Sequence, residues 1–148
     1  MNENITLKID NREISVPKGT TILEAARDMG IDIPTLCYMN LKDLCIKNAP
    51  ASCRLCVVEV EGRKNLAPSC ATRCENGMNV HTNTIRVLNA RRTVLELMLS
   101  DHPSDCLVCA KSGNCELQSV AIKLGTVSYT HLSDKETSQD LVCRLLLE

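Results

Sequence analysis

Ile5, Leu7 and Ile9 alternate with polar neighbours, and after Asp10-Asn11-Arg12 the alternation resumes at Ile14 and Val16. Two short runs of period two around turn residues predict a β-hairpin, closed by Pro17-Lys18-Gly19. Thr21 followed three residues later by Glu24 is a capping box, whose hydroxyl and carboxylate satisfy orphan N–H groups at a helix start. Ile22, Ala26 and Met29 recur at helical spacing and Gly30 supplies a left-handed stop, so a short amphipathic helix is expected over 20–29. Ile33-Pro34-Thr35-Leu36-Cys37 leads into a long irregular loop. Leu55 to Val60 reads as a buried strand ended by Gly62, and 66–71 and 79–82 as short strands separated by the turn Asn76-Gly77.

From Thr84 the period changes from 2 to 3.6. Thr84 caps a helix with Leu88, Leu95 and Leu99 on one face, Val87, Val94 and Met98 beside it, and Arg86, Arg91 and Arg92 expected on the other side. Pro103 stops it, because the residue before a proline is pushed out of helical geometry. A second helix is expected over Cys115–Leu124, ended by Gly125. The shift of period places a domain boundary between 1–83 and 84–125. Beyond it, 126–148 continues no pattern and ends on Leu145-Leu146-Leu147 without a cap. That stretch resembles translated read-through of foreign DNA and is expected to be non-native, or a disordered tail.

Composition narrows what holds these elements together. The 148 residues include two Tyr, no Trp and no Phe, so Leu, Ile, Val, Met and Ala must build the core. Ten Cys in a chain of this size suggest staples, either disulfides or metals. The N-terminus has neither the basic nor the apolar region of a secretory signal, and no apolar run approaches the ~18 residues of a membrane span. A cytoplasmic location is therefore expected, where thiols stay reduced and ligate metal rather than pair as disulfides. The net charge of −1 comes from mixed signs, which leaves no electrostatic footprint for nucleic acid.

The cysteines fall into two sets. Cys53-Arg-Leu-Cys56 places two thiolates in one tight loop, Cys70 returns after thirteen intervening residues, and the fourth thiol of this set comes from Cys37 or Cys45. Cys37 follows the stiff Ile33-Pro34 segment, which fixes where it points, whereas Cys45 lies mid-loop among Lys, Asp and Asn. Four thiolates suit a [2Fe–2S] cluster, though plant-type ferredoxins space theirs differently, as C-x4-C-x2-C…C. A zinc ribbon and buried structural thiols are the other readings. The second set is His102-Pro-Ser-Asp-Cys106-Leu-Val-Cys109 with Cys115, one imidazole and three thiols. Such soft ligands select zinc or an iron–sulfur cluster. Zinc carries no electrons, so a [4Fe–4S] cluster is the reading that matches the first set. A neutral His in place of a thiolate removes negative charge from that environment, with Asp101, Asp105 and Lys111 close by in sequence to tune it. Cys74 and Cys143 have no partner in either set and receive no role.

Hairpin, helix and returning strands resemble the ubiquitin-like β-grasp of plant-type ferredoxins, so the expected fold is α+β: a β-grasp 2Fe-2S ferredoxin-like domain followed by a small helical [4Fe–4S] domain. Three longer motifs carry a more specific resemblance: Ile33-Pro34-Thr35-Leu36-Cys37-Tyr38, then Cys53-Arg54-Leu55-Cys56-Val57-Val58-Glu59-Val60-Glu61-Gly62, and Ser100-Asp101-His102-Pro103…Cys106…Cys109…Asn114-Cys115-Glu116-Leu117-Gln118. Together they resemble the N-terminal region of NAD(P)-linked [FeFe]-hydrogenase catalytic subunits. The same two modules occur in the G-type iron–sulfur subunit of NADH dehydrogenase and in the α subunit of NAD-linked formate dehydrogenase. Residues 112–118 resemble the hydrogenase branch more than the others.

The resemblance implies Cys37, Cys53, Cys56 and Cys70 as [2Fe–2S] ligands, and His102, Cys106, Cys109 and Cys115 as [4Fe–4S] ligands. It also implies a flavoprotein that oxidises NAD(P)H, or a ferredoxin, as electron partner. No C-x2-C-x2-C-x3-C-P run follows, and no further Cys set is present to hold an active-site cluster. The chain is therefore expected to be an electron-relay portion lacking a C-terminal catalytic part, with no complete active site of its own. From a different class, a zinc-stabilised interaction module without redox function also fits the ligand types.

Overall fold

Asn4–Ile9 (β1) and Arg12–Pro17 (β2) pair antiparallel in register Ile9↔Arg12, which leaves only Asp10 and Asn11 to make the turn. The computed structural model describes residues 4–38, 50–103 and 105–126. Both turn residues have positive φ, 47° and 67°, as a type I′ hairpin requires, and Asp and Asn tolerate that region best after Gly. Ile22–Asp28 forms α1 with the complete Thr21/Glu24 capping box. Its C-terminus closes with Gly30 at φ 72°, Gly30 N–H donating to Arg27 O and Ile31 N–H to Ala26 O, a Schellman pair.

Val57–Val60 (β3), Ala67–Pro68 (β4) and Asn79–His81 (β5) complete a sheet of order β2-β1-β5-β3-β4 among the described residues. β1 and β5 run parallel, and the other neighbours run antiparallel, so the sheet is mixed and the architecture α+β. The core lies between the sheet and α1: Leu7, Ile9, Val16, Ile22, Leu23, Ile33, Val58 and Val80 are all buried. The strand expected from Leu55 begins two residues later. Leu55 and Cys56 are buried, but they belong to the turn that delivers the chain into β3.

The change of period at residue 84 is the start of α2, Ile85–Ser100, capped by Thr84 Oγ1 accepting from Val87 N–H at 3.3 Å. Packing carries α2 with the sheet, and the first compact unit runs to Pro103. Its buried residues are Val87, Arg91 and Leu95. The sequence pattern predicts Arg91 on the polar side of this helix; it is only 2% exposed. The i, i+4, i+8 spacing puts it between two apolar residues, and its guanidinium finds the Val57 carbonyl. The residues beyond Pro103 form a second unit, in which Glu116–Leu124 (α3) ends on left-handed Gly125. No described helix is long and apolar enough to cross a membrane. The stretch 127–148, including Cys143, lies outside the described residues.

The hairpin turn is tied to the end of β5, the strand next to β1, by one carboxylate. Asp10 accepts from Thr82 N–H at 2.7 Å and from the Thr82 hydroxyl, and Thr82 is 1% exposed. Replacing Asp10 by Ala leaves that buried N–H unpaired and puts a β-carbon without a polar arm at φ 47°. The substitution is expected to destabilise the first unit by about 1–3 kcal/mol in chemical unfolding; a change within the error of the measurement would show the tie to be dispensable.

Candidate metal centres

Three segments bring the first set of thiols together. Cys37 follows the Ile33-Pro34 stretch, Cys53 and Cys56 sit on the loop entering β3, and Cys70 follows β4. Cys56 and Cys70 are buried, while Cys37 and Cys53 are half-buried. The β3–β4 pairing explains why Cys70 returns to Cys56. Ser69 donates twice to the Cys56 carbonyl, from N–H at 3.1 Å and Oγ at 2.8 Å, so the next residue along must lie beside Cys56.

Backbone donors point at the sulfurs. Ala51 N–H donates to Cys70 Sγ at 3.1 Å, and Cys53 N–H to Cys37 Sγ at 3.5 Å. Two non-glycine residues of this loop, Ala51 at φ 69° and Arg54 at φ 57°, adopt the left-handed conformation. Such residues cost about 1–3 kcal/mol each and persist where the surroundings over-determine them. Left-handed residues among right-handed ones turn successive N–H groups inward, the backbone arrangement that cradles an anion.

The thiols form contacting pairs, Cys37 with Cys53 and Cys56 with Cys70. Burial works against ionisation of Cys53, but hydrogen bonds from the Leu55, Leu36 and Cys37 backbone and from the Cys37 side chain prevail, and its pKa is lowered. Cys70 is pushed up to about 12, first by burial and then by the hydrogen bond and negative charge of Cys56. Among the described residues, no three His, Cys, Asp or Glu side chains close on one point as a single metal ion demands. That does not argue against a two-iron core. Such a core spreads four thiolates over two centres, whereas a lone zinc needs its ligands about 2.0–2.3 Å from one point. Two thiol pairs under backbone N–H donors suit a core of two irons.

The second set is placed differently. His102, the residue after the α2 cap Asp101, is exposed and belongs to the first unit; Cys106, Cys109 and Cys115 belong to the second. Tight turns carry the three thiols: Val108 N–H donates to Asp105 O, Cys109 N–H to Cys106 O and Ser112 N–H to Cys109 O at 2.9–3.4 Å. Gly113 at φ 81° turns the chain toward Cys115, which is the N-cap of α3 but makes no side-chain capping bond. Its sulfur is thus not committed to the helix. Asp101, Asp105 and Lys111 are exposed. The donor set of three thiols and an imidazole suits an iron–sulfur cluster by ligand type.

Cys74, which has no role in the sequence pattern, packs in the core as a small hydrophobe, its pKa raised to about 11 by burial and by the Glu24 charge. Cys45 lies outside the described residues. Sequence reasoning missed two things here, the N–H groups aimed at the sulfurs and the buried Arg91.

Comparison with known proteins agrees with this division of labour. Residues 2–85 match the model of a 2Fe-2S iron–sulfur cluster binding domain, and residues 91–128 match the NADH-ubiquinone oxidoreductase-G iron–sulfur binding region. The NADP-reducing hydrogenase subunit HndD of Solidesulfovibrio fructosivorans is 67% identical over 121 residues, which are 82% of this chain and 21% of that protein. A G-type subunit of the NADH-quinone oxidoreductase of Rhizobium meliloti is 43% identical over 82% of this chain and 14% of its own length. Among solved structures, an NAD+-reducing [NiFe]-hydrogenase in the H2-reduced state superposes with a TM-score of 0.71 at 36% identity, covering 82% of this chain and 49% of that one. The chain thus spans about a fifth or less of the curated relatives named here. It belongs to the family of 2Fe-2S iron–sulfur cluster binding domains, followed by an iron–sulfur binding region of the NADH-ubiquinone oxidoreductase-G kind.

Proposed function

We propose that this chain is the electron-relay portion of an NAD(P)-linked hydrogenase of the HndD type. The observation that carries the proposal is the meeting of four thiols, in two contacting pairs, beneath backbone N–H donors. In this reading Cys37, Cys53, Cys56 and Cys70 hold a [2Fe–2S] cluster on a β-grasp domain of residues 1–83, and the sheet order with α1 packed beneath it supports that fold. His102, Cys106, Cys109 and Cys115 hold a [4Fe–4S] cluster within 84–125. When bound, the two clusters supply one-electron transfer steps. The chain's own residues fix the sulfurs: Ser69 holds Cys56 against Cys70, and the Ala51 and Cys53 N–H groups stabilise negative charge on sulfur.

The partners in this reading are a flavoprotein that oxidises NAD(P)H or a ferredoxin, and a catalytic part that receives the electrons. Its location is the cytoplasm. A second reading, the corresponding part of an NADH-quinone oxidoreductase, is favoured by the 43% identity to the Rhizobium protein. The higher identity to the hydrogenase subunit supports the first.

The choice of fourth thiol is testable at one residue. Cys45→Ser is expected to leave the EPR signal of the reduced [2Fe–2S] cluster intact, whereas Cys37→Ser abolishes it or shifts it grossly. Cys45 is a ready substitute when Cys37 is lost, so the double variant is measured alongside. Loss of the signal in Cys45→Ser alone would make Cys45 the ligand.

His102 is tested through its charge. A thiolate in its place adds a negative ligand, which stabilises the oxidised cluster, so His102→Cys should retain a [4Fe–4S] cluster with a lower midpoint potential. His102→Ala should make that cluster labile. An unchanged potential in the Cys variant would argue against ligation by His102.

A further inference from the structure

Arg91 presents the strongest charge anomaly in the first unit. Its side chain is 2% exposed in the middle of α2, between Val87 and Leu95, where a guanidinium remains charged and loses its water. Its hydrogen bonds go to a single neutral acceptor, the Val57 carbonyl, from Nε at 3.2 Å and Nη2 at 2.8 Å. Among the described residues no carboxylate lies within ion-pairing distance of it. Asp10, which acts on it at longer range, already spends both carboxylate oxygens on Thr82. A buried cation with no anionic partner is costly, and natural structures retain one where another charge completes it.

That charge is close at hand. Val57 is joined by its own peptide bond to Cys56, so the guanidinium that donates to the Val57 carbonyl lies within one peptide unit of a proposed cluster ligand. Burial pulls the Arg91 pKa down, and negative charge at Cys56 and then at Asp10 works against that. Resting on the assignment of Cys56 and Cys70 as [2Fe–2S] ligands, we propose that Arg91 is the internal counter-charge of the [2Fe–2S] site, a positioning residue that acts through the Val57 carbonyl and raises the cluster's reduction potential. Four thiolates around a two-iron, two-sulfide core leave a net negative charge when oxidised, and one more when an electron is added from a one-electron reductant, with no bond made or broken. A fixed cation held near that charge favours the state with the extra electron. Because the cation sits in a dry, packed position, it acts with less screening than a surface lysine.

The residue comes from α2, 34 positions along the chain from the Val57 carbonyl that it holds and beyond every proposed [2Fe–2S] ligand in sequence. The helix that leads toward His102 therefore also supplies a charge to the first site, so the boundary between the two sets of ligands is not a boundary between their supporting residues.

Three variants of the full chain separate charge from hydrogen bonding. Arg91→Gln keeps an N–H donor for Val57 and removes the charge, Arg91→Lys keeps the charge, and Cys56→Ser tests the underlying ligand assignment. Potentials are read by EPR-monitored titration with dithionite and mediators, alongside iron content and circular dichroism. The expected result is an equilibrium constant for [2Fe–2S] reduction about tenfold less favourable in Arg91→Gln, a fall of about 59 mV, with Arg91→Lys near the parent protein. If Arg91→Gln fails to assemble its cluster while Arg91→Lys does, the need for the charge is supported by loading rather than by potential. A folded, fully loaded Arg91→Gln with an unchanged potential would overturn the proposal, as would failure of both variants to assemble, since geometry rather than charge would then be what Arg91 supplies. A Cys56→Ser protein with an unaltered [2Fe–2S] signal would instead refute the ligand assignment, independently of Arg91.

Discussion

The carbonyl of Cys56 is held twice by Ser69, and much of the molecule hangs from that junction. Ser69 is completely buried, donates through both N–H and hydroxyl to Cys56, and through its own carbonyl accepts from Leu23 N–H in the first turn of α1 at 3.1 Å. Neighbouring groups extend the junction: Thr72 O accepts from Ile22 N–H at 3.0 Å, and Cys74 N–H donates to Thr20 O at 2.9 Å. A helix start leaves N–H groups without intrahelical partners. Here the segment that carries Cys70 satisfies them, so α1, the Cys53/Cys56 loop and Cys70 cannot move independently. A scaffold that ties these segments together restricts the spacing of the thiols, which lowers the ordering cost of binding metal.

Electrostatics explains why so small a core tolerates so many polar requirements. The sulfurs of the first set gather negative charge in a half-buried loop, and the chain answers with backbone dipoles at Ala51 and Cys53 and a guanidinium at Arg91. Two left-handed non-glycine residues are the local cost of aiming those dipoles. The second set is less enclosed: Cys106 and Cys115 are half-buried, but Cys109 is exposed, as are Leu107 and Val108 beside it, at 96% and 84%. Its order comes from short turns and the start of α3, too little apolar burial for a core of its own, and binding of metal and folding are expected to be coupled there.

How much of this is legible in the sequence follows from the range over which each signal acts. The hairpin, the Thr21/Glu24 box and the Gly30 stop are local, and the structure repeats them within a residue or two. The two cluster types are readable because ligand chemistry restricts residue type and spacing, and the comparisons match a 2Fe-2S binding domain and an iron–sulfur binding region of the NADH-ubiquinone oxidoreductase-G kind. The donors at Ala51 and Cys53 depend on positive φ at residues that no propensity marks, and so are invisible in the sequence. Arg91 escapes a reading in which charge means exposure; its spacing from Val87 and Leu95 is the available signal. The strand expected from Leu55 is shorter because the left-handed Arg54 turns the chain first.

One chain is expected to hold two iron–sulfur clusters through these two sets of side chains. Iron, zinc and acid-labile sulfide, determined per chain on anaerobically purified protein, address that claim most directly. The predicted result is about six irons and six sulfides, the sum of a [2Fe–2S] and a [4Fe–4S] cluster, with negligible zinc. Stoichiometric zinc without labile sulfide would contradict it and leave a zinc-stabilised module in its place.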